Sequence, residues 1–203
     1  MNWDLFAAFL ALTLALVVVP GPIVTLLIST ASTRGVRPAL VTVAGTSTGS
    51  AVLLTAIAFG LTWMVAHAGY LFDVLRWCGA AYLVWLGVKA WRGAGRVQPN
   101  PPADRVHFTR GFLVALSNPK TTAFFTAFLP QFIDPRLPAG PQLAAMCVAS
   151  VLVAAISDSG WAIGAGLGRT WLMQPARAKF LGRLSGLTLI GGGIWLSLAR
   201  RPS

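Results

Sequence analysis

The stretch GFLVALSNPKTTAFFTAFLPQF, Gly111–Phe132, is apolar enough to cross a bilayer yet carries Asn118-Pro119-Lys120 within it. The first apolar stretch of the chain is interrupted in the same manner by Pro20-Gly21-Pro22. Breaking a spanning helix frees backbone groups that hydrocarbon cannot satisfy, so a break survives only where protein or a water-filled cavity supplies partners. Two breaks at comparable positions in the halves of a membrane chain point to a transporter's binding site.

Composition supports a membrane setting. The 203 residues are 56% hydrophobic and 10% charged, with a mean hydropathy of +0.71, whereas a soluble domain carries about 25% charged residues. Apolar runs predict spans at Trp3–Thr33, Ala39–Ala66, Leu71–Trp91, Gly111–Phe132, Pro141–Leu172 and Leu184–Ala199. A chain of this length has room for roughly six helices of about 20 residues each, the length that crosses a bilayer. Trp3, Trp63, Trp91 and Trp171 fall near predicted ends, as an aromatic belt requires. The N-terminus lacks the basic region of a signal peptide, so the first segment is expected to stay as a span.

A net charge of +11 would suit nucleic acid, but its placement argues for the positive-inside pattern instead. Arg34 and Arg37 follow the first span, Lys89, Arg92, Arg96, Arg105 and Arg110 flank the central connection, and Arg169, Arg177, Lys179 and Arg183 follow the fifth. Those loops are expected in the cytoplasm, with both termini outside, although Arg200 and Arg201 oppose that orientation. No nucleic-acid partner is expected; the lipid bilayer is. Residues 93–110, with Pro99, Pro101 and Pro102, read as a linker between halves at roughly 1–92 and 105–203 of one transmembrane domain. Three spans per half force the halves into opposite orientations. The expected fold is therefore all-α, about six transmembrane helices in two inverted three-helix repeats, the first and fourth helices broken.

The breaks have a local chemistry. Pro20 and Pro22 lack N–H groups, so the carbonyls of Leu16 and Val18 lose their helical donors. Gly21 before Pro22 fits an N-cap before the first position of a new half-helix, and Asn118 before Pro119 repeats the pattern with a better cap. Half-helices starting there would present the N–H groups of Ile23–Thr25 and Lys120–Thr122, a setting suited to a carboxylate. The plainer alternative is that the prolines only kink their helices.

Lys120 lies about 15 Å into its span, near the bilayer midplane, and Asp158 sits mid-span in Ser157-Asp158-Ser159-Gly160. Charges at that depth cost about 2.5–3.5 kcal/mol each and face a cavity or each other; a purely structural Lys120–Asp158 ion pair is the alternative to a functional pair. Gly45-x-x-x-Gly49, Gly160-x-x-x-Gly164-x-x-x-Gly168 and Gly182-x-x-x-Gly186 permit close helix packing, within the bundle or between copies. Thr46, Ser47 and Thr48 are placed to line a path or to bond their own backbone. Gly191-Gly192-Gly193 has no preceding strand and is no phosphate loop. Cys78 and Cys147 read as small core hydrophobes. His67 and His107 fall in separate loops and the chain has no glutamate, so no catalytic set, metal site or cofactor is expected. The candidate substrate-binding residues are Pro20, Gly21, Pro22, Thr25, Gly45, Gly49, Asn118, Pro119, Lys120 and Asp158, and Asp158 is also the candidate proton-coupling acid.

Pro20-Gly21-Pro22 with the glycine-spaced second span, the stretch Trp77-Cys78-Gly79-Ala80-Ala81-Tyr82-Leu83, and above all Gly111–Phe132 resemble the lysine-exporter/homoserine–threonine-efflux (LysE/RhtB) translocator family. The resemblance spans nearly the whole chain. It implies an exporter of amino acids or related small metabolites in the bacterial inner membrane, driven by the proton-motive force and working as a homodimer. An exporter of another small solute or a cation is the alternative. A membrane-embedded enzyme or structural subunit would need a ligand set, or a nucleophile beside a base, that the sequence does not show.

The charge pattern makes the orientation testable. With Cys78 and Cys147 removed, Asn100→Cys should react with an impermeant maleimide only after the membrane is permeabilised. Labelling in intact cells would reverse the assignment.

Overall fold

The structure, a computed structural model, describes residues 1–67, 71–93, 107–168 and 175–198, and among these it is built of helices joined by short turns. In chain order they are α1 (Trp3–Val18), α2 (Pro22–Arg34), α3 (Val36–His67), α4 (Leu71–Arg92), α5 (His107–Leu116), α6 (Pro119–Phe128), α7 (Ala139–Leu167) and α8 (Pro175–Leu198), with a 3-10 turn at Leu129–Phe132. Two stretches are long and apolar enough to cross a membrane, Val36–Leu61 and Ala139–Leu167. The pair α1 and α2, bent by 46° at its break, meets the same test as one span. The burial pattern is inverted relative to a soluble protein: Phe59, Ile156 and Leu167 are exposed while Lys120 and Asp158 are buried. This is the arrangement of a membrane protein.

Helix ends follow local chemistry. Asn2 caps α1, its side-chain oxygen accepting the N–H groups of Asp4 and Leu5. Pro22 and Pro119 each occupy the first turn of a helix, where their missing N–H costs nothing. α2 stops at Gly35, whose φ of 92° is accessible to glycine at little cost, and whose N–H closes on the Ala31 carbonyl. Several helices start earlier than the apolar runs indicate, α5 and α8 by the most. α5 takes in His107–Arg110, and α8 begins at Pro175 rather than Leu184, because the basic residues there belong to the first turns of these helices. The rest of the linker (94–106), together with Arg169, Trp171, Arg200 and Arg201, lies outside the described residues.

The Gly45–Gly49 face packs within the chain. A Cβ on Gly45 would run into the Phe108 carbonyl oxygen and one on Gly49 into that of Phe112, while across the seam a Cβ on Gly111 would meet the Thr42 carbonyl. Helices α3 and α5 therefore touch backbone to backbone. Gly87, Gly186 and Gly193 bring α4 and α8 together in the same way. Gly160 and Gly164 face open space.

Two apolar layers divide the bundle. One gathers Phe9, Leu54, Phe125, Phe128, Phe132, Leu143 and Met146 toward the N-terminal end of α1. Its aromatic centre is Phe9, edge-on to both Phe125 and Phe132. The other gathers Leu27, Ala31, Ala39, Val43, Ala162 and Ala165 toward the C-terminal end of α2. Beyond the aromatic layer, Gln142 stitches the turn before α7 to itself through Asp134, Leu137 and Pro138. Asn2 donates to Asp134 there. The Arg136 backbone N–H, and then Asn2, hold the Asp134 carboxyl below the usual carboxylate range.

Gly45→Ala should force α3 and α5 apart and cost about 2 kcal/mol, the usual scale of overpacking. Gly160→Ala, facing open space, should be neutral or gain the helix propensity of alanine. Thermal unfolding in detergent compares the two; equal midpoints would show that the seam is not tight.

Candidate functional site

The two proline breaks meet. Helix α1 ends with its last carbonyls unpaired because Pro20 and Pro22 offer no N–H. The Lys120 ammonium crosses from the start of α6 and donates to the carbonyls of Leu16 at 2.8 Å and Val19 at 2.7 Å. Of the two carbonyls marked from sequence, Leu16 is served by Lys120. The second acceptor is Val19, whose extended backbone ends α1. An ammonium at a helix C-terminus also meets the negative end of the helix dipole.

Each residue of the two triplets has a part in this crossing. Gly21 leaves room for the lysine stem: a Cβ there would lie 3.1 Å from Lys120 Cδ. Asn118 caps α6, accepting the Lys120 N–H at 3.1 Å and donating to Thr121 Oγ1 at 2.8 Å. That cap uses one of the backbone donors that sequence reasoning left open for a ligand. At the other half-helix, the Thr25 N–H is taken by the Gly21 carbonyl.

Beside the crossing lies a cavity of about 50 Å³. A polar space of that size is roomy enough to hold water. Its polar wall is Ser50, Asn118, Lys120, Thr121, Ser150 and Asp158; Leu16, Val24, Leu54 and Phe125 belong to the apolar remainder. On α3 and α7, Ser50, Ala154 and Asp158 fall between the residues of the two apolar layers, while Leu16, Leu54 and Phe125 of the aromatic layer wall the cavity on one side.

Asp158 faces Lys120 across this space without pairing to it. Its Oδ2 accepts from Thr46 Oγ1 at 3.3 Å. No Lys120–Asp158 ion pair within 4.0 Å forms among the described residues. The Thr46 hydroxyl also lies 3.0 Å from the Val43 carbonyl, so its single proton has two acceptors. The ammonium has three donors and spends two on carbonyls, leaving one.

Of the sequence-predicted residues, Gly21, Asn118, Lys120 and Asp158 line the cavity. Pro20, Pro22 and Pro119 shape the backbone around it, and Thr25 is exposed on α2. Gly45 and Gly49 pack on α5, away from it. Sequence reasoning missed Ser50 and Ser150, which no motif distinguishes from other helical serines, although both lie on the cavity face of their helices. Among the described residues no group of three potential metal ligands forms.

These paired breaks around a buried lysine lie within a stretch, residues 14–200, that matches the family described as LysE type translocator. The chain belongs to that family. It is a translocator and not an enzyme. Among its relatives is the homoserine/homoserine lactone efflux protein of Salmonella typhimurium, 30% identical over 98% of this chain and 99% of the relative. The leucine efflux protein of Klebsiella pneumoniae is 30% identical over 64% of this chain and 63% of its own. An uncharacterized membrane protein of Vibrio cholerae is 29% identical over 98% of this chain and 100% of the relative. No solved structure matches the chain.

In this LysE type translocator, Lys120→Met removes two charge-assisted hydrogen bonds and leaves two buried carbonyls bare. The expected loss is roughly 3 kcal/mol, read as a lower unfolding midpoint in detergent, together with weaker binding of carboxylate-bearing substrates. Full stability and unchanged affinity would mean that water replaces the ammonium at both carbonyls.

Proposed function

We infer that the chain is a secondary exporter of amino acids or close derivatives, coupled to the proton-motive force. The observation that carries this reading is the cavity with one buried cationic and one buried anionic side chain on its walls, not neutralising each other directly. A zwitterionic amino acid presents the complementary pair. Its carboxylate takes the remaining Lys120 donor and the positive end of α6, and its ammonium takes Asp158. The names of the relatives, efflux proteins for homoserine, its lactone and leucine, favour the same substrate class.

The reading extends to the whole chain as one transporter domain in the bacterial inner membrane, its halves inverted repeats that meet at the two proline breaks. Both termini lie outside, and the protein works as a homodimer. Asp158 is the coupling acid: it takes a proton from the acidic exterior and gives it up inward as substrate leaves in the other direction. Thr46 suits that cycle, since its hydroxyl can donate to the carboxylate or turn to Val43 and accept from the protonated acid.

Asp158→Asn keeps size and hydrogen bonding but cannot titrate. In proteoliposomes it should abolish uphill export driven by an imposed pH gradient, while counterflow exchange, which needs no net proton movement, persists. Normal accumulation against a gradient by the Asn variant would remove Asp158 from the coupling step.

A further inference from the structure

A threonine or serine inside a buried helix can always donate to its own backbone. Thr30, Thr42, Thr48, Ser117, Thr122 and Ser150 each donate to the carbonyl four residues back. Thr13 and Ser32 differ. Their hydroxyl oxygens are buried and have no protein hydrogen-bond partner among the described residues. Thr13 is 0% exposed and Ser32 3%. Neither lines the cavity, so neither is placed to hold a substrate there.

The two hydroxyls belong to opposite layers. On α1 the buried positions are Phe9, Thr13 and Leu16, one stripe at helical spacing. Phe9 and Leu16 are both part of the aromatic layer, so Thr13 stands within it. On α2, Ile23 and Val24 line the cavity, and Leu27, Ile28 and Ala31 then pack in the second layer, which is rich in alanine. Ser32 follows Ala31 and lies one turn beyond Ile28, at the edge of that layer away from the cavity. Each barrier beside the cavity therefore carries a buried hydroxyl with nothing to bond.

A hydroxyl stripped of water and given no partner loses the hydrogen bonds it made in water, and regains them when water returns. It weighs against the packed layer and in favour of the parted one. We propose that Thr13 biases the aromatic layer, and Ser32 the alanine-rich layer, toward opening, each to the water on its own side of the membrane. This rests on the exporter reading only in that the two layers open in turn. Thr13 has the larger task, because the rings of Phe9, Phe125 and Phe132 interlock around its stripe. Its bias is confined to that side. While the alanine-rich layer parts, the aromatic layer stays packed and Thr13 stays unsatisfied, so it neither helps nor hinders the other opening. Valine has nearly the shape of threonine without the hydroxyl, and Thr13→Val should hold the aromatic layer shut.

The test reads each opening from its own side, in the full-length protein. With Cys78 and Cys147 replaced, Ala154→Cys puts a thiol on the cavity wall, where a small charged methanethiosulfonate reagent arrives only through a parted layer. Labelling rates are measured in membrane vesicles from the face that holds the N-terminus, where the aromatic layer lies, and in inverted vesicles from the other. Thr13→Val should slow labelling about tenfold from the N-terminal face, the weight of one unsatisfied buried hydroxyl, and leave the other rate unchanged. Ser32→Ala should do the reverse. Thr13→Ser keeps the hydroxyl and should keep the rate. Neither Thr13→Val nor Ser32→Ala should lower the unfolding midpoint in detergent. Rates that hold, or that fall equally from both faces, overturn the proposal. So does a lower midpoint or a failure to fold, which would show that a buried water already serves the hydroxyl. A thiol that labels from neither face before Thr13 or Ser32 is changed overturns it too. Labelling needs no substrate, so the exporter reading is judged separately, by counterflow of labelled homoserine and leucine.

Discussion

Two carbonyl oxygens at the end of α1 cannot be left bare inside hydrocarbon, and the Lys120 ammonium reaches them from 104 and 101 positions away. A bare carbonyl in a lipid core costs several kcal/mol, and a bare ammonium costs more. Each is the other's remedy. Pro20 creates the acceptor, Gly21 clears space for the stem, and Pro119 starts α6 where Lys120 must stand. Removing any one of these leaves the others without purpose. This explains why two proline triplets far apart in sequence share one site.

The cavity follows from that crossing. The kink at Val19–Gly21 turns α2 away from the line of α1, and the space so opened is closed by α3, α6 and α7. Polar groups collect there because the apolar layers above and below offer them nothing. Asp158 is held by Thr46 on one wall and Lys120 by backbone carbonyls on the other, so each charge is partly satisfied without cancelling its opposite. A direct ion pair would fill both sites with protein. Separation keeps both available to a ligand, and each hydrogen bond already in place lowers the cost of holding a charge there before a ligand arrives.

Much of this was legible in the sequence, but only the local part. Proline removes a donor wherever it stands, so the Leu16 carbonyl could be named as orphaned before its partner was known. Lys120 and Asp158 stood out because charge at the centre of an apolar run is rare. The identity of the acceptors did not follow. Val19 rather than Val18 takes the second bond because α1 ends in extended backbone, a property of the tertiary arrangement. Gly45 and Gly49 were read as possible site residues. A glycine pattern states only that something comes close, and here that neighbour is the backbone of α5. Ser50 and Ser150 gave no signal because no motif sets them apart from other helical serines, and their place shows only when the cavity does. The start of α8 was misplaced because charged first turns look like loop.

The same bonds constrain how such a cavity can open. Parting α6 from the end of α1 would expose two carbonyls and an ammonium together, so the crossing resists separation and these elements are expected to move as one body. Any opening of the cavity then has to act on the layers to either side. They differ in kind. The layer around Phe9, Phe125 and Phe132 interlocks large rings edge to face, so opening it forfeits a large buried area. The opposite layer, where Ala31, Ala39, Ala162 and Ala165 bring α2, α3 and α7 together, is made largely of small side chains. Small side chains interlock little and let helices slide with a modest loss of contact. Of the two barriers beside the charged layer, the alanine layer at the α2 end is therefore the cheaper to part. The aromatic layer yields only when something else offsets its loss.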